Sequence, residues 1–171
     1  MKQTRTLISL YFGLAILQAN AQSTDQSTNT KTEMTTTINS STETVKAFFT
    51  AFGKGDFNGI INAFHKNCSI TAVREGARTG REIFGTYAGK EGAKEFISNL
   101  GNSFDTKAFS VDHIVGEGNV AFANGKFTHH IKSTGKSYSS DWSLMCVLKE
   151  GKIFEYHFYE DSASFVIASA Q

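Results

Sequence analysis

The stretch DWSLMCVLKEGKIFEYHFYED, residues 141–161, gathers five carboxylates, a histidine, a thiol and a set of aromatic rings around one glycine turn. Carboxylates and a histidine in so short a segment are the residue types of general acid–base chemistry. The segment also reads as a β-hairpin, whose side chains alternate between two faces. What matters is which groups share a face. KEG, with Gly151, fits a type I turn followed by a glycine bulge. That register pairs Val147 with Ile153, Cys146 with Phe154, Leu144 with Tyr156 and Trp142 with Phe158. One face then carries Trp142, Leu144, Cys146, Phe154, Tyr156, Phe158 and Glu160. The other carries Asp141, Ser143, Met145, Glu155, His157, Tyr159 and Asp161. A two-residue turn would slide the pairing by one. The first register keeps apolar residues opposite apolar residues.

A hairpin cannot bury its dry face alone, so other elements must position it. Ser40 with Glu43 makes a capping box. Val45, Phe48, Phe49 and Phe52 follow at helical spacing and form an aromatic face. GKG (Gly53–Gly55) closes this helix. Asp56 can cap a second helix with Phe57, Ile60, Ile61 and Phe64 on its apolar face, stopping near Asn67. CSITAV (Cys68–Val73) is β-branched and short, so it reads as a strand. Arg74–Gly89 has four glycines and reads as a loop holding at most a short strand. Lys90–Leu100 is a third helix, with Ala93, Phe96, Ile97 and Leu100 on one side. Strand runs follow at about 107–116, 119–131, 136–148 and 152–161, separated by GEGN, KSTG and KEGK. Helices first and an antiparallel meander last predict an α+β fold, with helices packed on one face of a curved sheet. A cavity between that face and the helices is a common ligand site.

The chain carries fifteen Phe among 171 residues, enough for an aromatic core or an aromatic-lined cavity. Lys2 and Arg5 precede the apolar run Leu7–Leu17 and the small residues of Ala19–Ala21. This reads as a signal peptide over 1–21, cut after about Ala21, which places the mature protein in the periplasm or outside the cell. An uncleaved membrane anchor is the rival, although the run is shorter than a span requires. Residues 22–39 are rich in Ser, Thr, Asn and Gln and read as a flexible linker. The folded domain is expected over 40–171. Without residues 1–21 the chain keeps 15 basic against 16 acidic residues. That near-balance, with no basic stripe, argues against nucleic acid and against membrane contact beyond the signal segment. Cys68 and Cys146 both sit in apolar runs. Export permits a disulfide between them, but two buried free thiols are the favoured reading. No P-loop, nucleophile elbow or dinucleotide fingerprint is present. His129 and His130 face opposite ways on a strand, and no Cys/His cluster occurs, so neither a metal nor another cofactor is expected.

Helix–helix–strand, then GTYAGKEGAKEF (Gly85–Phe96), then a meander closing on DW…LKEGKIFEYHFYED, resembles the SnoaL-like branch of the nuclear-transport-factor-2-like superfamily, over about residues 43–165. EGKI stands where the family's turn usually reads DGKI. The resemblance implies a cystatin-like, cone-shaped α+β barrel, with three N-terminal helices on a curved, mainly antiparallel sheet and a pocket inside. The superfamily includes isomerases, cyclases, dehydratases, hydrolases and members that only bind or assemble, so fold alone does not give the reaction. Aligned without gaps, the ketosteroid isomerase tyrosine falls at Phe48, its base at Ala72 and its second acid at Leu144. None of these can exchange a proton. The same alignment points Phe127, His129 and Ile131 inward. His129 and Glu160 are then the candidate catalytic residues. Phe48, Phe64, Phe96, Phe127, Trp142, Leu144, Tyr156 and Phe158 are the candidate ligand contacts for a small, largely apolar molecule. The outer sheet face, with His157 and Glu155, is the homodimer contact that the resemblance implies. A non-catalytic binding or assembly module is the alternative.

Overall fold

The computed structural model describes residues 29–79 and 82–170, with side chains from Ser41 onward. The signal-peptide segment 1–21 lies outside the described residues. The first helix, α1, spans Asn29–Lys54, so its backbone runs into the segment read as a linker. The Ser40–Glu43 pair therefore lies inside the helix and does not start it. The Glu43 carboxylate accepts instead from Lys46 Nζ at 2.8 Å, one turn on. Val45 and Phe48 are fully buried, as the helical spacing requires. The helix stops where Gly55 takes φ +66°, a left-handed conformation that glycine adopts without strain.

Asp56 caps α2 (Phe57–Ala63) by accepting from the Gly59 amide at 2.9 Å. This helix ends before Asn67, because Phe64 is already extended and opens strand β1 (Phe64–Ala72). β2 (Gly85–Ala88) is the short strand inside the glycine-rich segment, and α3 runs Gly89–Ser103. The expected strand near 107–116 is two strands, β3 (Phe104–Phe109) and β4 (His113–Glu117), which pair side by side along β5 (Val120–Ile131). β6 (Ser137–Lys149) and β7 (Lys152–Glu160) form the closing hairpin, and Asp161 caps a final helix, α4 (Ser162–Ser169).

The strand order is β2-β1-β7-β6-β5-β3, with β4 also on β5. β1 runs parallel to β7 and the other neighbours are antiparallel. The fold is the expected α+β arrangement, helices on a curved, mostly antiparallel sheet. Its edges do not pair with each other, so the sheet is open and the barrel is not closed. α1 lies against β4 and β5, while α3 lies against β1 and β2.

The hairpin register differs from the expected one. Lys149 pairs with Lys152, and Glu150 (φ 53°) and Gly151 (φ 68°) form the loop. Two residues with positive φ make a type I′ turn, whose twist suits a hairpin. A bulge follows at once: Leu148 pairs with Ile153, but Val147 pairs with Glu155. Phe154 is the extra residue, and the bulge rotates it off the inner face. Its ring packs on His65 at 5.5 Å instead, and Ile153, fully buried, takes the inner position. Beyond the bulge Trp142 faces Glu160, Leu144 faces Phe158 and Cys146 faces Tyr156. The pairing slides by two from the expected one, so these six keep the same face.

Candidate active site

Side chains from both helices and strands meet in one interior cavity. Phe48, Phe49 and Phe52 enter from α1, and Phe96, Ile97 and Leu100 from α3. Phe104 and Phe109 come from β3, Phe127 and His129 from β5, and Tyr156, Phe158 and Glu160 from β7. Ala72, Val73, Ile83 and Phe84 close the remaining side. Apart from His129, Glu160 and the Tyr156 hydroxyl, the lining side chains are hydrocarbon.

Rings fill much of the space. Phe48 lies edge-on to Phe49 at 5.1 Å, to Phe64 at 5.7 Å and to Tyr156 at 5.8 Å. Phe96 meets Tyr156 at 5.7 Å. About 50 Å³ of free space remains. That holds a few waters, and it is below the ~150 Å³ that admits benzene in an engineered apolar cavity.

His129 is clamped. Phe127 stacks on its ring at 4.2 Å and Phe104 at 4.8 Å. Its Nδ1 shares a hydrogen bond with the Thr106 hydroxyl at 3.1 Å, a link made possible because β3 and β5 pair Thr106 with His129. Burial lowers its pKa from 6.5 to about 4, so the ring is neutral at physiological pH.

Glu160 is the last residue of β7. Burial raises its pKa from 4.5 to about 7; the Tyr138 hydroxyl opposes the rise and the Asp161 charge adds to it. Near pH 7 such a carboxyl can either give or take a proton. Its Oε1 is buried and has no hydrogen-bond partner. The nearby Tyr138 hydroxyl donates to the Asp161 carbonyl at 3.2 Å. Burial pushes the hydroxyl pKa values of Tyr138 and Tyr156 upward, so both are donors and not bases.

Val73 holds φ 65°, unusual for a β-branched residue. Its amide is fixed to the Phe158 carbonyl at 2.8 Å, which holds this strained residue against the cavity wall. Strain of this kind costs about 1–3 kcal/mol and collects at functional sites.

Of the expected residues, His129, Glu160, Phe48, Phe96, Phe127, Tyr156 and Phe158 line the cavity. Phe64, Trp142 and Leu144 do not. Phe64 is fully buried behind Phe48, because β1 starts there and turns its ring under the helix. Trp142 lies behind the wall, against Phe49 at 5.3 Å, Phe109 at 5.2 Å and Phe158 at 5.5 Å. Leu144 is core, 1% exposed. Phe49 and Phe52 were visible in the helical spacing of α1. Phe104 was hidden by the misplaced start of β3, and Phe109 lies inside the expected strand, where the pattern did not single it out as a cavity residue. Ile83 and Phe84 sit in an irregular loop, where no periodicity could point to them. Cys68 and Cys146 are both buried and free, and burial raises the Cys146 thiol far above its ordinary range.

Asp141, Glu155, His157 and Tyr159 face outward, as expected. The outer face also exposes Val115, Phe122 and Tyr159, about half or more of each side chain. Met145 pairs with both Phe122 and His157 across this face. Among the described residues no helix is long and apolar enough to cross a membrane.

This architecture has many relatives. An NTF2-like protein of Burkholderia xenovorans superposes with a TM-score of 0.67 at 19% identity, over 78% of this chain and 98% of its own. TerC, co-crystallised with polyporic acid, superposes with a TM-score of 0.64 at 18% identity, over 75% of this chain and 97% of its own. Patulin biosynthesis cluster protein F of Penicillium expansum is 31% identical over 78 residues, or 45% of this chain. The match spans 39% of that protein's length. The model of the SnoaL-like domain matches residues 45–156. That range runs from the first buried residues of α1 to the cavity tyrosine of β7, and by it the chain belongs to the SnoaL-like domain family.

Proposed function

We propose that the protein is exported and binds a small, largely apolar molecule in its aromatic cavity, where His129 and Glu160 act on it as a cofactor-free acid–base pair. The reaction class is isomerisation, cyclisation, dehydration or hydrolysis. One observation carries this reading: a neutral imidazole and a carboxyl that burial raises to a pKa of about 7 line the same hydrocarbon-walled space, and burial favours the uncharged form of both. Membership of the SnoaL-like domain family supports it, as do structural neighbours that include proteins assigned as polyketide cyclases and TerC, which was co-crystallised with polyporic acid. Against a panel of small aromatic and alicyclic carbonyl compounds, His129→Ala and Glu160→Gln are each expected to lower turnover by about 10²–10⁴. Unchanged turnover in both removes them as catalysts.

The limited free space favours a second reading, a non-catalytic binding or assembly module whose Phe side chains fill their own cavity. No binding by any compound in a calorimetric screen would select it.

The exposed Val115, Phe122 and Tyr159, with half-buried Met145 beside Phe122, support a homodimer through the outer sheet face, because apolar side chains clustered on a surface favour association. Sedimentation is expected to show a dimer that Phe122→Lys dissociates; an unchanged mass in the variant removes this face as the contact. Export rests on the basic start, the apolar run and the small residues before Gln22. N-terminal sequencing of exported protein is expected to begin at Gln22, and an intact Met1 would select the anchor instead.

A further inference from the structure

Among the described residues, two buried side-chain polar atoms have no hydrogen-bond partner: the indole Nε1 of Trp142 and Oε1 of Glu160. They belong to residues directly opposite each other on β6 and β7. Directly opposed residues on one sheet face hold their Cβ atoms about 4.5–5.5 Å apart. Trp142 is 2% exposed, so bulk water does not serve its N–H. Each unpaired buried group is costly, and native proteins rarely keep one without a reason.

The two atoms are complementary. An indole N–H only donates, and a carboxylate oxygen accepts. One oxygen that accepts from the first and donates to the second satisfies both, and only a hydroxyl group or a water molecule does so. A ketone oxygen would satisfy the indole but not the ionised carboxylate. An ammonium, which has no lone pair, would satisfy the carboxylate alone.

The surroundings fix the geometry. The Trp142 ring is stacked on Phe109 and Phe158 with interplanar angles of 19° and 21°. The backbone beside it is tight: a Cβ on Gly125, the β5 residue opposite Trp142, would sit 2.8 Å from Trp142 Cζ2 and would collide with the Ser110 carbonyl oxygen. The indole therefore cannot swing away on that side. Phe109, Phe158 and Glu160 all line the cavity, and Trp142 stacks on the first two, so the indole ring lies directly behind its wall.

We propose that Trp142 and Glu160 form a hydroxyl clamp, in which one oxygen accepts from Trp142 Nε1–H and donates to Glu160 Oε1. Its occupant is a buried water, which the free space of about 50 Å³ accommodates, or in the same place the hydroxyl of a phenol-type ligand for whose ring the aromatic cavity must widen. The ligand arm rests on the cavity reading given above and narrows the apolar molecule to a hydroxylated aromatic one. It makes Trp142 a binding residue although it does not line the cavity.

The test compares 4-ethylphenol with ethylbenzene, which differ only in the hydroxyl, by titration calorimetry on the full chain. The expected result is binding of 4-ethylphenol at least tenfold tighter than ethylbenzene by wild type. In Trp142→Phe, which keeps an aromatic ring and deletes the N–H, the ratio is expected to fall several-fold, since the hydroxyl keeps only its bond to Glu160. A ratio near one in wild type, or one that survives in Trp142→Phe, overturns the ligand clamp and leaves the apolar cavity standing. If neither compound binds wild type, the cavity reading and the ligand arm fail together. The water arm is then read in the ligand-free protein, whose single Trp gives one indole N–H signal. A cross-relaxation peak from that proton to a long-lived water supports the clamp; its absence overturns it. This last measurement uses no variant, so it stands even if Trp142→Phe does not fold.

Discussion

Phe48→Ala is expected to lower the unfolding free energy by about 3–5 kcal/mol, the range for deleting a buried phenylalanine. Phe48 is 2% exposed and its ring touches Phe49, Phe52, Phe64 and Tyr156. Four aromatic partners lose contacts at once, and they come from α1, β1 and β7, so the site cannot collapse by moving one side chain. The cost therefore belongs at the upper end of the range. The same deletion opens the cavity, because Phe48 is one of its walls. Ethylbenzene is expected to bind the variant more tightly than wild type and to return part of the lost stability. Denaturant titration with and without the compound checks both statements. A loss under about 1 kcal/mol would show that the helix relaxes inward and the cavity is less rigid than its packing implies.

The second large effect is a pair of opposed pH slopes. His129 has a pKa of about 4 when folded against 6.5 in its ordinary state. The unfolded chain therefore binds its proton first as pH falls, and stability drops between about 6.5 and 4. Glu160 has a pKa of about 7 when folded against 4.5. The folded chain holds that proton longer, so this contribution is full below about 4.5 and is lost as pH rises toward 7. Each shift corresponds to about 3 kcal/mol at 1.36 kcal/mol per pKa unit. Between about 4.5 and 6.5 the two slopes cancel in wild type. Glu160→Gln leaves the histidine alone, and stability is expected to rise with pH across that window. His129→Leu leaves the carboxyl alone, and stability is expected to fall across it. Urea midpoints at pH 4.5, 5.5 and 6.5 read the two signs directly. Parallel slopes in the two variants would mean that neither group is as buried as its position indicates.

The opening hairpin shows how far local pattern reaches. Alternation of apolar and polar residues placed Trp142, Leu144, Cys146, Tyr156, Phe158 and Glu160 on one face, and they are there. It could not locate the bulge, because a type I′ turn with a bulge one step later gives the same parity as a three-residue loop, displaced by two. Only the packing of Ile153 inward and of Phe154 onto His65 distinguishes them. The shift matters, since it sets Trp142 opposite Glu160, and that pairing is invisible in the hydrophobic pattern.

Helical spacing was equally informative for α1 and α3. It identified Phe48, Phe49, Phe52 and Phe96 because each face repeats over several turns. Segment boundaries were less legible. Phe64 scans as the last apolar position of α2, but its pairing with Ile153 on β7 makes it a strand residue. That pair is 89 positions apart along the chain, beyond any local signal.

The sequence by itself determined the helix and strand types, the inward parity of the closing hairpin, and the family. The first two follow from periodicity and turn chemistry, which act between near neighbours; the family follows from the resemblance of the Gly85–Phe96 segment and the closing hairpin to its members. Which side chains reach the cavity, how little space the rings leave, and which polar atoms remain unpartnered were decided only by the tertiary structure. Burial, and the pKa values and orphaned hydrogen-bonding groups that come with it, depends on what every other element places around a residue.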